Sequence, residues 1–101
     1  MSGDAMVDEL RKIMTSAALA ATHCRTLDDD IGAGGNMLSV FNLATFGGNC
    51  GLITAEEVMD WRAVSQWQKG LPEVMERWNG HALLRRTGGM ETSEETTFRS
   101  P

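Results

Sequence analysis

Nowhere does this chain of 101 residues approach the roughly 18 apolar residues in a row that a membrane span needs. The stretch IMTSAALAATHC, residues 13–24, is alanine-rich and weakly apolar, and acidic residues precede it, so no signal-peptide core is expected. Cysteine is scarce too: Cys24 and Cys50 allow one disulfide at most, and both are expected as free thiols. These lacks give the expectation of a soluble, cytoplasmic protein with no membrane partner. Positive charge is also short, with 9 Lys and Arg against 14 Asp and Glu for a net charge of -5. That argues against a general nucleic-acid coat, whose surface must be positive. The only imidazoles are His23 and His81, and nothing in the spacing sets either beside Cys50, so no catalytic residue is assigned. Zinc from His23, Cys24, Cys50 and His81 lacks the paired close spacing of structural sites, so no metal or cofactor is expected.

Tyrosine is absent, which leaves the aromatic bulk to three Trp and three Phe, a few large anchors. Seven Met point to adaptable packing in an irregular core or at an interface. The length allows one domain with a modest core. Charge is unevenly spread. Asp4, Asp8, Glu9 and Asp28 to Asp30 make the first thirty residues acidic, whereas Arg62, Lys69, Arg77, Arg85 and Arg86 face only Glu73 and Glu76 in the stretch 62–86. A local nucleic-acid surface is therefore compatible with the acidic total.

Along the chain, Val7, Leu10, Met14, Ala17 and Ala21 recur at spacings of three and four, which predicts an amphipathic helix over 5–23. Three Asp followed by Gly32-Ala-Gly-Gly35 predict a loop over 25–36, ended by Asn36 as a cap. The short segment MLSVFNLATF, 37–46, is too evenly apolar for periodicity to decide; helix is favoured because no second β-rich run exists to pair with it. A second glycine break is expected at 47–51. Thr54 and Glu57 then form the pattern of a capping box, opening a helix with Val58, Trp61, Val64 and Trp67 on one side and an end at Gly70. Pro72 suits the first turn of another helix, with Val74, Met75 and Trp78 as its apolar side and Asn79-Gly80 as its stop. HALLRR, 81–86, adds a last turn, and the polar residues 87–101 read as a flexible tail behind a helical domain of 1–86.

Two motifs compete for one helix. The string AVSQWQKGLP, residues 63–72, resembles the DNA-reading helix of the phage Cro and repressor regulators. That resemblance implies base contacts from Arg62, Ser65, Gln66, Gln68 and Lys69, and DNA bound through residues 60–70. It covers about a tenth of the chain, and Val58 and Glu57 stand where the family has its turn glycine and the apolar residue before it. The string GLITAEEV, 51–58, resembles the second half of a calcium-binding loop, but Phe46, Gly48 and Cys50 stand where its first ligands belong. Gly32-Ala-Gly-Gly35 has no strand before it and reads as a linker rather than a dinucleotide loop.

Trp61 and Trp67 are six residues apart, so one faces the core while the other faces outward. The resulting expectation is a mainly α protein: a single small domain of three to four short helices with glycine-rich loops. Its leading function is that of a non-catalytic interaction protein, a small subunit, adaptor or inhibitor docking on a larger protein assembly. Trp61, Trp67, Arg77, Arg85 and Arg86 are its candidate contact residues. The alternative is a helix-turn-helix regulator, and either would suit a phage or mobile-element setting.

Overall fold

Residues 3–78 are described by the computed structural model, and every regular element among them is an α-helix. α1 spans Gly3–Thr26, α2 spans Asp30–Asn49 and α3 spans Ala55–Ser65. Residues 71–78 are helical as well and are called α4. The expected small helical domain is what forms, although α1 and α2, with 24 and 20 residues, are longer than the short elements foreseen. The Asn79-Gly80 stop, His81, Arg85, Arg86 and the 87–101 tail lie outside the described residues.

α2 is the central element. It packs along α1 on one side and α3 on the other, while α1 and α3 meet over a short stretch. Of the periodic stripe of α1, Leu10, Met14 and Ala21 are buried, Val7 and Ala17 are half-buried against the core, and Ala18, outside the predicted stripe, is fully buried. They close on Met37, Val40 and Ala44 of α2 and on Trp61 and Val64 of α3, with Val74 of α4 completing the core. The alanines at 18, 21 and 44 let the helices approach closely.

The predicted glycine loops are not there. α2 runs from Asp30 through Gly32, Gly34 and Gly35, across the whole 37–46 segment, and through Gly47 and Gly48. Its cap is Asp29, whose carboxylate accepts from the Gly32 N–H, and not Asn36. Asn36 sits inside the helix and donates to the Gly32 carbonyl at 2.9 Å. Two of the glycines are explained by helix approach. A methyl at Gly47 would lie 2.5 Å from Cδ2 of Leu10, and one at Gly48 would lie 2.6 Å from Cγ2 of Val58. At both positions a side chain of a neighbouring element packs against the α2 backbone, so any side chain there would have to displace it.

All three mapped helices end in the same way. Asp29 N–H reaches the Cys24 carbonyl, Leu52 N–H the Gly47 carbonyl, and Gln68 N–H the Ala63 carbonyl, at 2.9, 2.8 and 2.8 Å. In each, the residue before the donor is left-handed: Asp28 at φ 58, Gly51 at φ 73 and Trp67 at φ 60. This is the Schellman closure, which satisfies the last carbonyls of a helix. It usually takes glycine; here Asp and Trp fill two of the three places.

Thr54 caps α3 as expected, accepting from the Glu57 N–H at 3.1 Å. The capping box is only half formed, because the Glu57 side chain points into the core instead of back to the cap. α3 also stops at Ser65, short of the predicted Gly70. Residues 66–70 are a turn, and α4 follows with Pro72 near its start, as predicted.

Candidate functional site

Large apolar side chains are left outside the core on the outer side of α2, α3 and the turn after them. Leu38 and Phe46 of α2, Met59 of α3 and Trp67 of the following turn are all exposed. Two shallow grooves run between α2 and α3 on this side. One, of about 350 Å³, is lined by Thr45, Gly48 and Asn49 on α2 and by Val58, Met59 and Arg62 on α3. The other, of about 250 Å³, lies toward the start of α2 between Gly34, Leu38 and Phe41 and the turn residues Gln66 and Trp67.

Arg62 sits where the grooves adjoin, its guanidinium 4.5 Å above the Phe41 ring. It has no carboxylate partner among the described residues. Trp67 is the stranger member. A bulky residue in the left-handed region costs about 1–2 kcal/mol, yet Trp67 ends α3 there with its ring stacked under the Arg25 guanidinium at 4.2 Å. The chain accepts backbone strain at this point and holds an indole half in solvent. Backbone strain of this kind clusters at ligand clamps and switch regions.

Beneath this surface α3 carries two buried carboxylates. Glu57, 1% exposed, accepts two parallel hydrogen bonds of 2.8 Å from Arg11 of α1 and one of 3.2 Å from the Trp61 indole. The hydrogen bond to Glu57 raises the Arg11 pKa against the opposing pull of burial. Asp60, 4% exposed, accepts from Lys69 at 2.6 Å, Trp78 at 2.7 Å and Arg77 at 3.1 Å. Burial pulls its carboxyl upward, but the bonds from Lys69 and Trp78 and the charges of Lys69 and Arg77 outweigh it, leaving the pKa below the ordinary 3.8. Glu57 ties α1 to α3, and Asp60 ties α3 to the turn and to α4.

The sequence-based candidates fall into distinct groups. Of the two tryptophans, Trp61 is the interior one, fully buried with its N–H satisfied, so it is not available to a partner; Trp67 is the outward one. Arg77 is exposed, and it bridges Asp60 and Glu56. The recognition-helix geometry is corrected: residues 63–72 hold the last turn of α3, a left-handed break at Trp67 and the start of α4. Within it, Ser65 donates to the Arg62 carbonyl and Lys69 is spent on Asp60, while Gln66 and Gln68 sit exposed in the turn. The calcium-loop pattern fails on geometry too, since α2 covers its first positions and Glu57 is held by Arg11.

Asp28, Asp29 and Asp30 are a helix junction: the left-handed residue, the cap and the first turn of α2. Cys24 and Cys50 are free thiols, and no group of three His, Cys, Asp or Glu among the described residues could hold a metal ion. No described helix is long and apolar enough to cross a membrane.

The residues not foreseen are Leu38, Phe41, Phe46, Met59 and Arg25. For Leu38, Phe41 and Phe46 the signal is the even apolarity of 37–46, since a helix apolar all round is one that expects cover on more than one side; no local pattern points to Met59 or Arg25. Comparison with known proteins finds no matching family model, no matching curated protein and no matching solved structure.

Proposed function

We propose that this chain is a non-catalytic interaction protein, a small subunit, adaptor or inhibitor, that docks on a larger protein assembly through the outer side of α2 and α3. The observation that carries the reading is the exposed apolar side chains Leu38, Met59 and Trp67, which line the two grooves, with Arg62, which has no carboxylate partner among the described residues, between them. Aromatic, Met and Arg side chains are the types that concentrate binding energy at interface centres. The occupant such a groove fits is an amphipathic helix of the partner, with apolar residues against Met59 and Val58 and a carboxylate placed for Arg62.

The test is capture of partners by the tagged chain from native host lysate, with and without nuclease, using Met59→Glu, Trp67→Ala and Arg62→Glu beside the parent. Lys12→Glu, on an exposed position of α1, serves as control. One protein retained by the parent and the control through nuclease treatment, and lost with Met59→Glu, supports docking here. Recovery that collapses with nuclease sinks it in favour of DNA binding, and retention by all three groove variants sinks the surface.

A further inference from the structure

The outer stripe of the first half of α2 has no use within the described chain. Ile31 is 90% exposed and Leu38 60% exposed, and between them, on the same side of the helix, lie Gly34 and Gly35. A methyl at either glycine would meet nothing within 4 Å. Glycine inside a helix is unfavourable relative to alanine. At Gly47 and Gly48 the missing side chain is explained by Leu10 and Val58; at Gly34 and Gly35 no neighbour explains it.

We infer that this stripe is the two-fold interface of a homodimer, in which α2 crosses α2 of a second copy antiparallel at Gly34 and Gly35. The stripe complements itself. A two-fold axis between the two glycines brings the backbones together where no side chain intervenes, and it sets Ile31 opposite Leu38 of the second copy, and the reverse. Ile31 then projects toward the groove between Gly34, Leu38, Phe41 and Trp67, so each copy supplies both the projecting side chain and its seat.

Charge permits the same occupant. A symmetric contact sets charges near its axis against their own copies, and this chain carries a net -5. After Asp30, α2 has no charged residue to its end at Asn49, so the helix face itself is free of that repulsion. The same register puts Asp30 beside Ser39 of the second copy and not against its own carboxylate. The contact adjoins the Met59 and Arg62 groove and shares Trp67 with the docking surface, but it does not include Met59, and it requires no other protein.

Sedimentation of the purified full-length chain over a concentration series reads the proposal directly. The expected result is a mass approaching twice one chain by about 100 μM, little changed by salt because the contact is uncharged. Leu38→Glu and Ile31→Glu should weaken it at least about tenfold, since each buries an unpaired carboxylate. Both sites are exposed in the single chain, so helical circular dichroism should stay unchanged. Gly34→Ala with Gly35→Ala should raise the thermal midpoint of the monomer at dilution while weakening association. Met59→Glu should leave association intact, so loss of partner capture in that variant reports on the docking groove alone. A single-chain mass at every concentration overturns the homodimer, as does a dimer indifferent to Leu38→Glu or one abolished by Met59→Glu.

Discussion

Glu57 is the residue on which most of the interior depends. It is the only acceptor within the core for the Arg11 guanidinium and for the Trp61 indole among the described residues, and it is bonded to both. Arg11 is partly exposed and also feels the Asp8 charge, so removing Glu57 leaves it only partly compensated, at a loss toward the lower end of the about 3–5 kcal/mol typical of a broken buried ion pair. That is a large share of the roughly 5–15 kcal/mol that holds a small domain folded. Glu57→Ala is therefore expected to lower the urea midpoint drastically, and Glu57→Leu combined with Arg11→Leu to recover much of the loss, because two apolar side chains need no partner. A Glu57→Ala midpoint within experimental scatter of the parent would show that the bidentate contact carries no net stability. In the sequence Glu57 had the look of a capping residue. Its neighbour Thr54 does cap, and nothing in the local pattern shows that Glu57 is instead drawn toward an arginine 46 positions earlier.

At the scale of elements, the position of α1 and the start of α3 were legible because each rests on a local rule: apolar spacing for one, a Thr cap for the other. The extent of α2 was not. Glycine reads as a stop signal, yet α2 has five glycines inside it, while two of the three Schellman closures use Asp28 and Trp67. Where a helix ends depends on which residue turns left-handed, and tertiary contact can force Trp to do so. The interior glycines follow from packing partners that lie far away in sequence, Leu10 for Gly47 and Val58 for Gly48. The same cause hid the candidate surface. With 32–35 and 47–51 read as loops, Ile31 and Leu38 could not be seen to share a face, and only the inward and outward split of Trp61 and Trp67 came through. Two glycine substitutions separate the two reasons for glycine. Gly51→Ala adds a methyl in open space at φ 73, so its cost of about 1–2 kcal/mol is backbone strain alone. Gly47→Ala keeps a helical backbone but pushes Leu10 and Ile53, an overpacking cost of about 1–3 kcal/mol less a fraction regained in helix propensity. Trimming the neighbour with Leu10→Ala should relieve Gly47→Ala in a double-variant cycle and leave Gly51→Ala unaffected. Equal coupling of Leu10→Ala to both would contradict this division.

For the whole molecule, Asp60 joins the parts that sequence distance keeps apart, α3, the 66–70 turn and α4, and it does so through an ionised carboxylate. The folded-state pKa lies below the ordinary 3.8, because Lys69, Trp78 and Arg77 together outweigh the upward pull of burial. A group depressed in this way contributes stability that is complete above its unfolded value and is lost as pH falls through the folded one. Stability should therefore be flat with respect to this group from neutrality down to about pH 4 and fall below it. Asp60→Asn retains an acceptor for the Trp78 indole but cannot hold Lys69 and Arg77 as ions, so at neutral pH it should cost about 1–3 kcal/mol, moderated because both cations are partly in solvent. The two proteins should converge as acid neutralises the aspartate, since a protonated Asp60 and an asparagine offer the same kind of uncharged acceptor. Urea midpoints for both, taken from about pH 7 down to about pH 3, read the difference directly. A constant offset across the whole range would mean that shape at position 60, and not its charge, holds α4 in place; narrowing only below about pH 4 identifies the carboxylate as the tie.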